Sequence, residues 1–241
     1  MRIAQLSDFH FDNYFSITPL RKAVEVINKL QPDVIVLTGD FVTAPMFSGD
    51  RKKAAAPIEP CAEILSQLRS RLGVYACMGN HDGATDSPRI IDTLRAKDIA
   101  VLSNSAVPLE KDGRRLWLAG IDDVLEGNAD LNATLNDIPN SEAVILLAHE
   151  PDYATYTAKF PVDVQLSGHT HGGQIRIPFV GAPVLPELGV KFPMGLYQVG
   201  KLILYTNVGI GTVRLPVRFF CPAEITLFTL QSAPGTPKIT K

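Results

Sequence analysis

Five short apolar runs, each ending in a glycine, aspartate, asparagine or histidine, constrain this chain more than any other feature. Residues 3–6, 34–37, 74–78, 144–147 and 164–166 are too short for helices, and Val and Ile recur in them. Residues 34–37 are apolar except at no position, the pattern of a strand buried on both faces. Between the early runs lie amphipathic stretches. Leu20, Val24, Ile27 and Leu30 repeat at helical spacing, so a helix is expected over 19–30, with others at about 58–71 and 88–97. Thr18 and Ser87 each precede a proline and are expected as helix N-caps. Strands alternating with helices predict an α/β domain built in layers of sheet and helix.

The second half continues the pattern. Strands are expected at about 99–109, 116–121, 143–148 and 163–167, with a short helix over 151–158. Residues 175–195 form a Pro- and Gly-rich apolar stretch, too long for a simple turn. Segments 196–208 and 223–230 alternate like hairpin strands. There is no repeat and no linker that would divide the chain, so 1–231 is expected to be one domain and 232–241 a polar tail. At 46% hydrophobic and 20% charged residues, the 241-residue chain has the composition of an ordinary globular protein. Lys and Arg (23) nearly balance Asp and Glu (25), which excludes a binder driven by phosphate neutralisation along nucleic acid. No sequence-specific nucleic acid and no obligate protein partner are expected.

Cys61, Cys77 and Cys221 are odd in number and widely spaced, against a disulfide framework or a thiolate zinc site. No eighteen-residue apolar run and no signal-peptide pattern is present. As it stands the sequence reads as cytoplasmic; export would require a leader removed from it.

The chemistry lies at the ends of the runs. Residues 3–6 lead into Asp8 and His10, 34–37 into Gly39-Asp40, and 74–78 into Gly79-Asn80-His81-Asp82. Residues 144–147 lead into His149, and 164–166 into Gly168-His169-Thr170-His171. Ligands of α/β sheets bind beyond the carboxyl ends of the strands, and all five histidines of the chain stand at such ends. Asp, Asn and His without thiolate suit Mn²⁺, Fe or Zn²⁺. The donors are too many for one cation and suit two, held roughly 3.5–4 Å apart by a shared carboxylate. Asp40 is the best bridge, because Gly39 lets the backbone turn sharply. If the backbone is extended there, Asp8-x-His10 and His169-x-His171 each place two side chains on one side.

Together, D-x-H, G-D, G-N-H-D, a lone His after a strand and G-H-T-H, in that order over residues 6–172, resemble the calcineurin-like metallophosphoesterases. The resemblance implies a four-layer αββα sandwich of mixed sheets flanked by helices. It implies Asp8, His10 and His171 on a first metal, Asp40 bridging, and Asn80, His149 and His169 on a second. His81 would stay unliganded, protonating the leaving group or stabilising transition-state oxyanions. Asp82 either orients His81 or closes a turn. The implied reaction is hydrolysis of a phosphodiester or pyrophosphate by a metal-bridging hydroxide, with no phosphoenzyme. A scaffold that had kept the fold and lost catalysis would lack some of these residues, and here every position is filled.

After Asp40 the sequence reads Phe41-Val42-Thr43, without the Asp-Arg-Gly of the Ser/Thr protein phosphatases. The string GHTHGGQI and the C-terminal NVGIGTVRLPVRFFCPAEITLFTL look like the subfamily of bacterial cell-envelope phosphoesterases. That resemblance implies a nucleotide- or lipid-linked phosphoester, UDP-2,3-diacylglucosamine among the alternatives. The stretch 175–194 is then either an acyl-chain or membrane-surface contact or a loop packed over the second sheet. Arg214 and Arg218 either fork a substrate phosphate or sit solvated at a sheet edge. Asp122 and Asp123 either orient a metal-bound His or make a turn, and Arg51-Lys52-Lys53 reads as a charged loop.

Overall fold

In a computed structural model that describes residues 1–45 and 49–231, the apolar runs become the strands of two sheets. The first sheet has the order β11-β1-β2-β3-β4, formed by Thr226–Thr229, Arg2–Leu6, Val34–Thr38, Val74–Cys77 and Ile99–Val101. The second has the order β5-β6-β7-β8-β10-β9, formed by Ser105–Lys111, Arg114–Gly120, Val144–Leu147, Val164–Ser167, Leu202–Thr206 and Gly195–Val199. Strands β1 to β4 pair in parallel, as do β6, β7, β8 and β10, while the edge strands β11, β5 and β9 are antiparallel.

The double burial of the central strands makes the layers. Along β2, Ile35 and Leu37 face one apolar cluster with Leu20, Val24 and Ile27 of helix α1 (Ile17–Leu30). Ile58 and Leu65 of α3 (Ile58–Leu65) and Leu94 of α5 (Ser87–Arg95) complete that cluster. Val34 and Val36 face the other way, into a cluster with Leu118, Ile145, Leu147 and Leu166 of the second sheet. On the far side of that sheet, Val144 and Leu146 meet Leu131 and Leu135 of α6 (Leu131–Leu135) and Ala154 of α7 (Ala154–Thr157). The result is helix, sheet, sheet, helix, the αββα sandwich. No helix among the described residues is long and apolar enough to cross a membrane.

Several local expectations are corrected. Helix α1 begins at Ile17, so Thr18 is not its N-cap, and Asp86 rather than Ser87 caps α5, accepting from the Arg89 amide. Proline is tolerated throughout a first turn, whose amides have no intrahelical acceptor, so it does not mark N1 uniquely. Arg51-Lys52-Lys53 is not loop but part of a helical turn, α2 (Arg51–Ala54), capped by Asp50. Helix α3 stops well before residue 71 because the Asn28 side chain of α1 captures the chain beyond it, donating to Gln67 O and accepting from the Arg69 amide. The expected strand 99–109 is two strands in different sheets, separated at Asn104, whose φ is 47°. Residues 223–230 supply β11, which pairs with β1 in the first sheet and so does not join the β9–β10 hairpin. The tail 232–241 lies outside the described residues.

Candidate metal centre

The carboxyl ends of β1, β2 and β3 from one sheet and β7 and β8 from the other converge on one rim. The segments leaving them do not stay extended. Asp8, His10, Asp40, His169 and His171 all have positive φ, between 40° and 74°. The D-x-H and H-x-H pairs are therefore not set by strand alternation; left-handed turns aim each side chain separately. Gly39 (φ 89°) lets the backbones after β2 and β3 meet: a Cβ there would stand 2.7 Å from Gly79 N and 2.8 Å from His149 Nδ1. A Cβ on Gly168 would collide with Ser7 Oγ and Asp8 Oδ2. Close approach requires both glycines, Gly39 against the Gly79 backbone and the His149 ring and Gly168 against Ser7 and Asp8.

Three groups of potential donors lie with their atoms within 4.8 Å of one another: Asp8, His10 and His171; His10, Asp40 and His81; and Asp40, His149 and His169. Asp40 and His10 belong to two groups each. Asp40 Oδ2 is 3.3 Å from His10 Nε2 and 3.2 Å from His149 Nε2, which places this oxygen between the two halves. Asp40 Oδ1 accepts from the His81 amide at 2.9 Å, and Asp8 accepts from the His169 amide through both oxygens.

The ring nitrogens show what belongs between them. His149 Nδ1 lies 2.6 Å from the Thr38 carbonyl, to which it donates, so the neutral ring presents a lone pair at Nε2, a buried atom 3.2 Å from Asp40 Oδ2. His169 Nε2 lies 2.7 Å from the Glu187 carbonyl, leaving the Nδ1 lone pair 3.0 Å from Asn80 Oδ1. His10 Nε2 and His171 Nε2 approach to 2.9 Å, with Asp8 Oδ1 3.4 Å from the latter. The His169 Nδ1 lone pair facing Asn80 Oδ1 sets acceptor against acceptor, and this, with buried imidazoles converging on two carboxylates, is a donor set for cations, with oxygen and imidazole ligands and no thiolate. The electrostatics agree. Burial raises the Asp40 carboxyl, but His149 and His10 outweigh it and hold the group well below the usual range. Burial lowers the pKa of His149, but Asp40 outweighs it and holds it well above the usual imidazole value.

His81, in the single helical turn α4 (Asn80–Gly83), differs from the others. Its Nδ1 accepts from the Ala44 amide at 2.9 Å, so in the neutral ring Nε2 carries the proton and is a donor. Burial pushes its pKa down to about 4, against the opposing pull of Asp40. The ring stands edge-on to His10, with centroids 4.7 Å apart. Asp82 is buried and accepts from the amides of Phe41, Val42 and Gly79, so its carboxylate fastens the loops after β2 and β3 and does not grip the His81 ring. Burial and Asp40 raise its pKa to about 8.

The centre floors a cavity of about 380 Å³, with Ile175, Val184, Val213 and Leu215 in its walls and Arg214 at its exposed side. Arg218 does not extend into it. Its guanidinium donates to the carbonyls of Val208, Gly209, Gly211 and Cys221, so the fork is already used. Asp122 and Asp123 accept from the amides of Asp123, Leu125, Glu126 and Asn128, which makes a turn.

Three supporting residues escaped the sequence reading. Thr43 meets His10 Nδ1 at 3.1 Å, and a Thr three residues past Asp40 is a weak but readable sign. Gln174 accepts from the Val213 amide and donates to the Val213 and Leu215 carbonyls, thereby tying the H-x-H loop to the Arg214 loop. Glu150 is buried next to His149, and burial raises its pKa well above normal.

A family model described as calcineurin-like phosphoesterase matches residues 1–173. YkuE of Bacillus subtilis, described as an uncharacterized metallophosphoesterase, is 38% identical over 96% of this chain and 79% of its own length. The Escherichia coli phosphodiesterase YaeI is 31% identical, over 95% of this chain and 82% of its own. LpxG of Chlamydia trachomatis, a UDP-2,3-diacylglucosamine pyrophosphatase, is 27% identical, over 94% of this chain and 82% of its own.

Proposed function

This chain belongs to the calcineurin-like phosphoesterase family and is a metal-dependent phosphoric ester hydrolase, and from that premise we propose that it cleaves a phosphodiester or pyrophosphate bond at a centre of two cations. Asp8, His10 and His171 hold the first cation, and Asn80, His149 and His169 the second, with Asp40 shared between them. The observation that supports this reading is Asp40 Oδ2 lying 3.3 Å from His10 Nε2 and 3.2 Å from His149 Nε2, between two clusters of oxygen and imidazole groups, with Asn80 Oδ1 facing the His169 Nδ1 lone pair. The nitrogen and oxygen set suits Mn²⁺, Fe or Zn²⁺. When bound, two such ions neutralise phosphoryl charge and lower the pKa of water to supply a nucleophile.

The chain's own residues do the rest. His81 keeps its Nε2 proton because Nδ1 is engaged by the Ala44 amide, and it presents that N–H to the leaving-group oxygen. Arg214, at the exposed side of the cleft, is the cationic contact for substrate phosphate. Arg218 positions rather than binds: it holds the carbonyls of 208–211 behind Asp8 and His171. Asp82 sets the relation of Gly79 to Phe41 and hence the height of Asn80 and His81 over the rim.

A second reading, a lipid pyrophosphate of the UDP-2,3-diacylglucosamine type, is supported by the substrate named for LpxG and by the apolar walls of the cleft. The deciding experiment is metal analysis of the purified chain with hydrolysis of bis(p-nitrophenyl) phosphate, before and after chelation and refilling with Mn²⁺. Two ions per chain and diesterase activity restored by Mn²⁺ are expected. Absence of bound metal after refilling overturns the centre as drawn.

A further inference from the structure

The mouth of the cleft is ringed by apolar side chains that the described residues leave uncovered. Phe179 is fully exposed at 109%, Val180 is 74% exposed and Phe220 67%, with Leu215 and Val217 also exposed. They lie on two segments that pair: Ile175 bridges Phe219, the Arg176 amide donates to Phe219 O, and the Phe219 amide donates to Gln174 O. Phe220 lines one surface concavity with Ile177, Phe179 and Val180, and the same two segments supply Ile175, Val184 and Leu215 to the cleft walls. The patch is thus continuous with the site.

Backbone geometry separates this patch from incidental exposure. Phe179, Arg214 and Phe220 have φ of 67°, 65° and 48°. Bulky residues adopt that conformation at a cost, and it is normally repaid by packing. Here Phe179 is left uncovered, and Phe220 meets edge-on the ring of Phe219, which is itself exposed. The turn that displays Phe179 is fixed by backbone bonds from the Val180 and Gly181 amides to Ile177 O, and from the Ile177 amide to Gly181 O. The charge is one-sided as well. Between Asp163 and Glu224 the only acid is Glu187, against Arg176, Lys191, Lys201, Arg214 and Arg218, in a chain whose net charge is −2. Arg176 sits within the patch and Arg214 at the cleft.

We infer that this collar docks the cleft mouth onto an anionic lipid bilayer, with Phe179, Val180 and Phe220 inserting among the acyl chains and Arg176 and Arg214 meeting the headgroup phosphates. Rigid apolar anchors beside cations are what interfacial binding requires, whereas a protein partner would give no reason for a rim free of acids except Glu187. The inference rests on the reading above only for the identity of the cleft, and it makes a phosphoester held in that leaflet the natural substrate.

The test is sedimentation of the full chain, Mn²⁺-loaded and chelated, with phosphatidylcholine vesicles with and without phosphatidylglycerol. Binding to the phosphatidylglycerol vesicles in both metal states is expected, weakened by salt and on the order of tenfold weaker in the double variant Phe179→Ser/Phe220→Ser. That variant keeps its thermal transition and its hydrolysis of soluble bis(p-nitrophenyl) phosphate. Failure of the parent chain to sediment, equal binding by the variant, or equal binding without anionic lipid overturns the inference. A parent dimer that the variant dissociates also overturns it and assigns the face to a second copy. Loss of the soluble activity in the parent, with vesicle binding intact, counts against the hydrolytic reading and leaves the docking surface standing.

Discussion

Asp8, His10, Asp40, His169 and His171 illustrate how much of the centre depends on backbone that its own side chains disfavour. Left-handed φ at a non-glycine residue costs of order 1–3 kcal/mol, so five together are held only because the sandwich beneath is well packed. The residue types were readable in the sequence, since every histidine stands where a run ends. Their conformation was not: an extended D-x-H and a turned one have the same letters, and only the approach of Gly39 to Gly79 and of Gly168 to Ser7 decides. Two substitutions test the roles. His81→Ala removes an N–H donor whose ring is anchored by the Ala44 amide and not by a cation, so kcat is expected to fall about 10²–10⁴-fold with metal content unchanged. Loss of metal from that variant, measured by mass spectrometry, would make His81 a ligand. Asp40→Asn takes the charge from the oxygen that both donor groups share. It is expected to lose bound metal and activity together, and full occupancy would remove Asp40 from its bridging place.

At the scale of elements, apolar runs buried on both faces were legible because every position carries the signal, as in β2 and β7. Elements decided by one distant side chain were not. The early end of α3 depends on Asn28, 39 residues before its partner Gln67, and the division of 99–109 between sheets depends on the left-handed Asn104. Asp33, just before β2, is another such residue. It accepts from the Arg2 amide at 2.7 Å and from Lys111 Nζ at 2.6 Å, tying the start of the first sheet to the end of β5 in the second. Burial raises its pKa, but the Lys111 and Arg2 bonds outweigh that and hold it below the usual value. A depressed carboxyl stabilises the fold at pH above its unfolded pKa of about 3.9, and that contribution is lost as pH falls through the folded value. Asp33→Asn is therefore expected to lower stability by about 1 kcal/mol at neutral pH. Its deficit against the parent should shrink toward zero in denaturant titrations at successively lower pH. A deficit independent of pH would mean that the Lys111 link contributes no charge-dependent stability.

In the whole molecule, the first sheet delivers Asp8, His10, Asp40 and Asn80 to the rim, and the second delivers His149, His169 and His171. Each proposed cation therefore takes ligands from both sheets, so binding it is also a clasp between the two halves of the sandwich. The buried Asp8 and Asp40 carboxylates share this pocket with His10, His149 and His171, and the His169 Nδ1 lone pair faces Asn80 Oδ1 at 3.0 Å, a crowding that a cation relieves in the folded state and not in the unfolded one. Ligand that binds only the native chain stabilises by about 2.7 kcal/mol at a hundred times its dissociation constant, a rise in Tm on the order of 5–10 °C for a chain of this size. Chelation is accordingly expected to lower Tm by that amount and Mn²⁺ to restore it, whether or not any substrate is known. Asp40→Asn should respond much less, because the oxygen that lies between His10 and His149 loses its charge. Calorimetry of parent and variant, with and without Mn²⁺, separates this from general salt stabilisation, which would raise both alike. A parent Tm indifferent to Mn²⁺ while two ions are bound per chain would show that the sheets hold together without the clasp, and would confine the cations to chemistry.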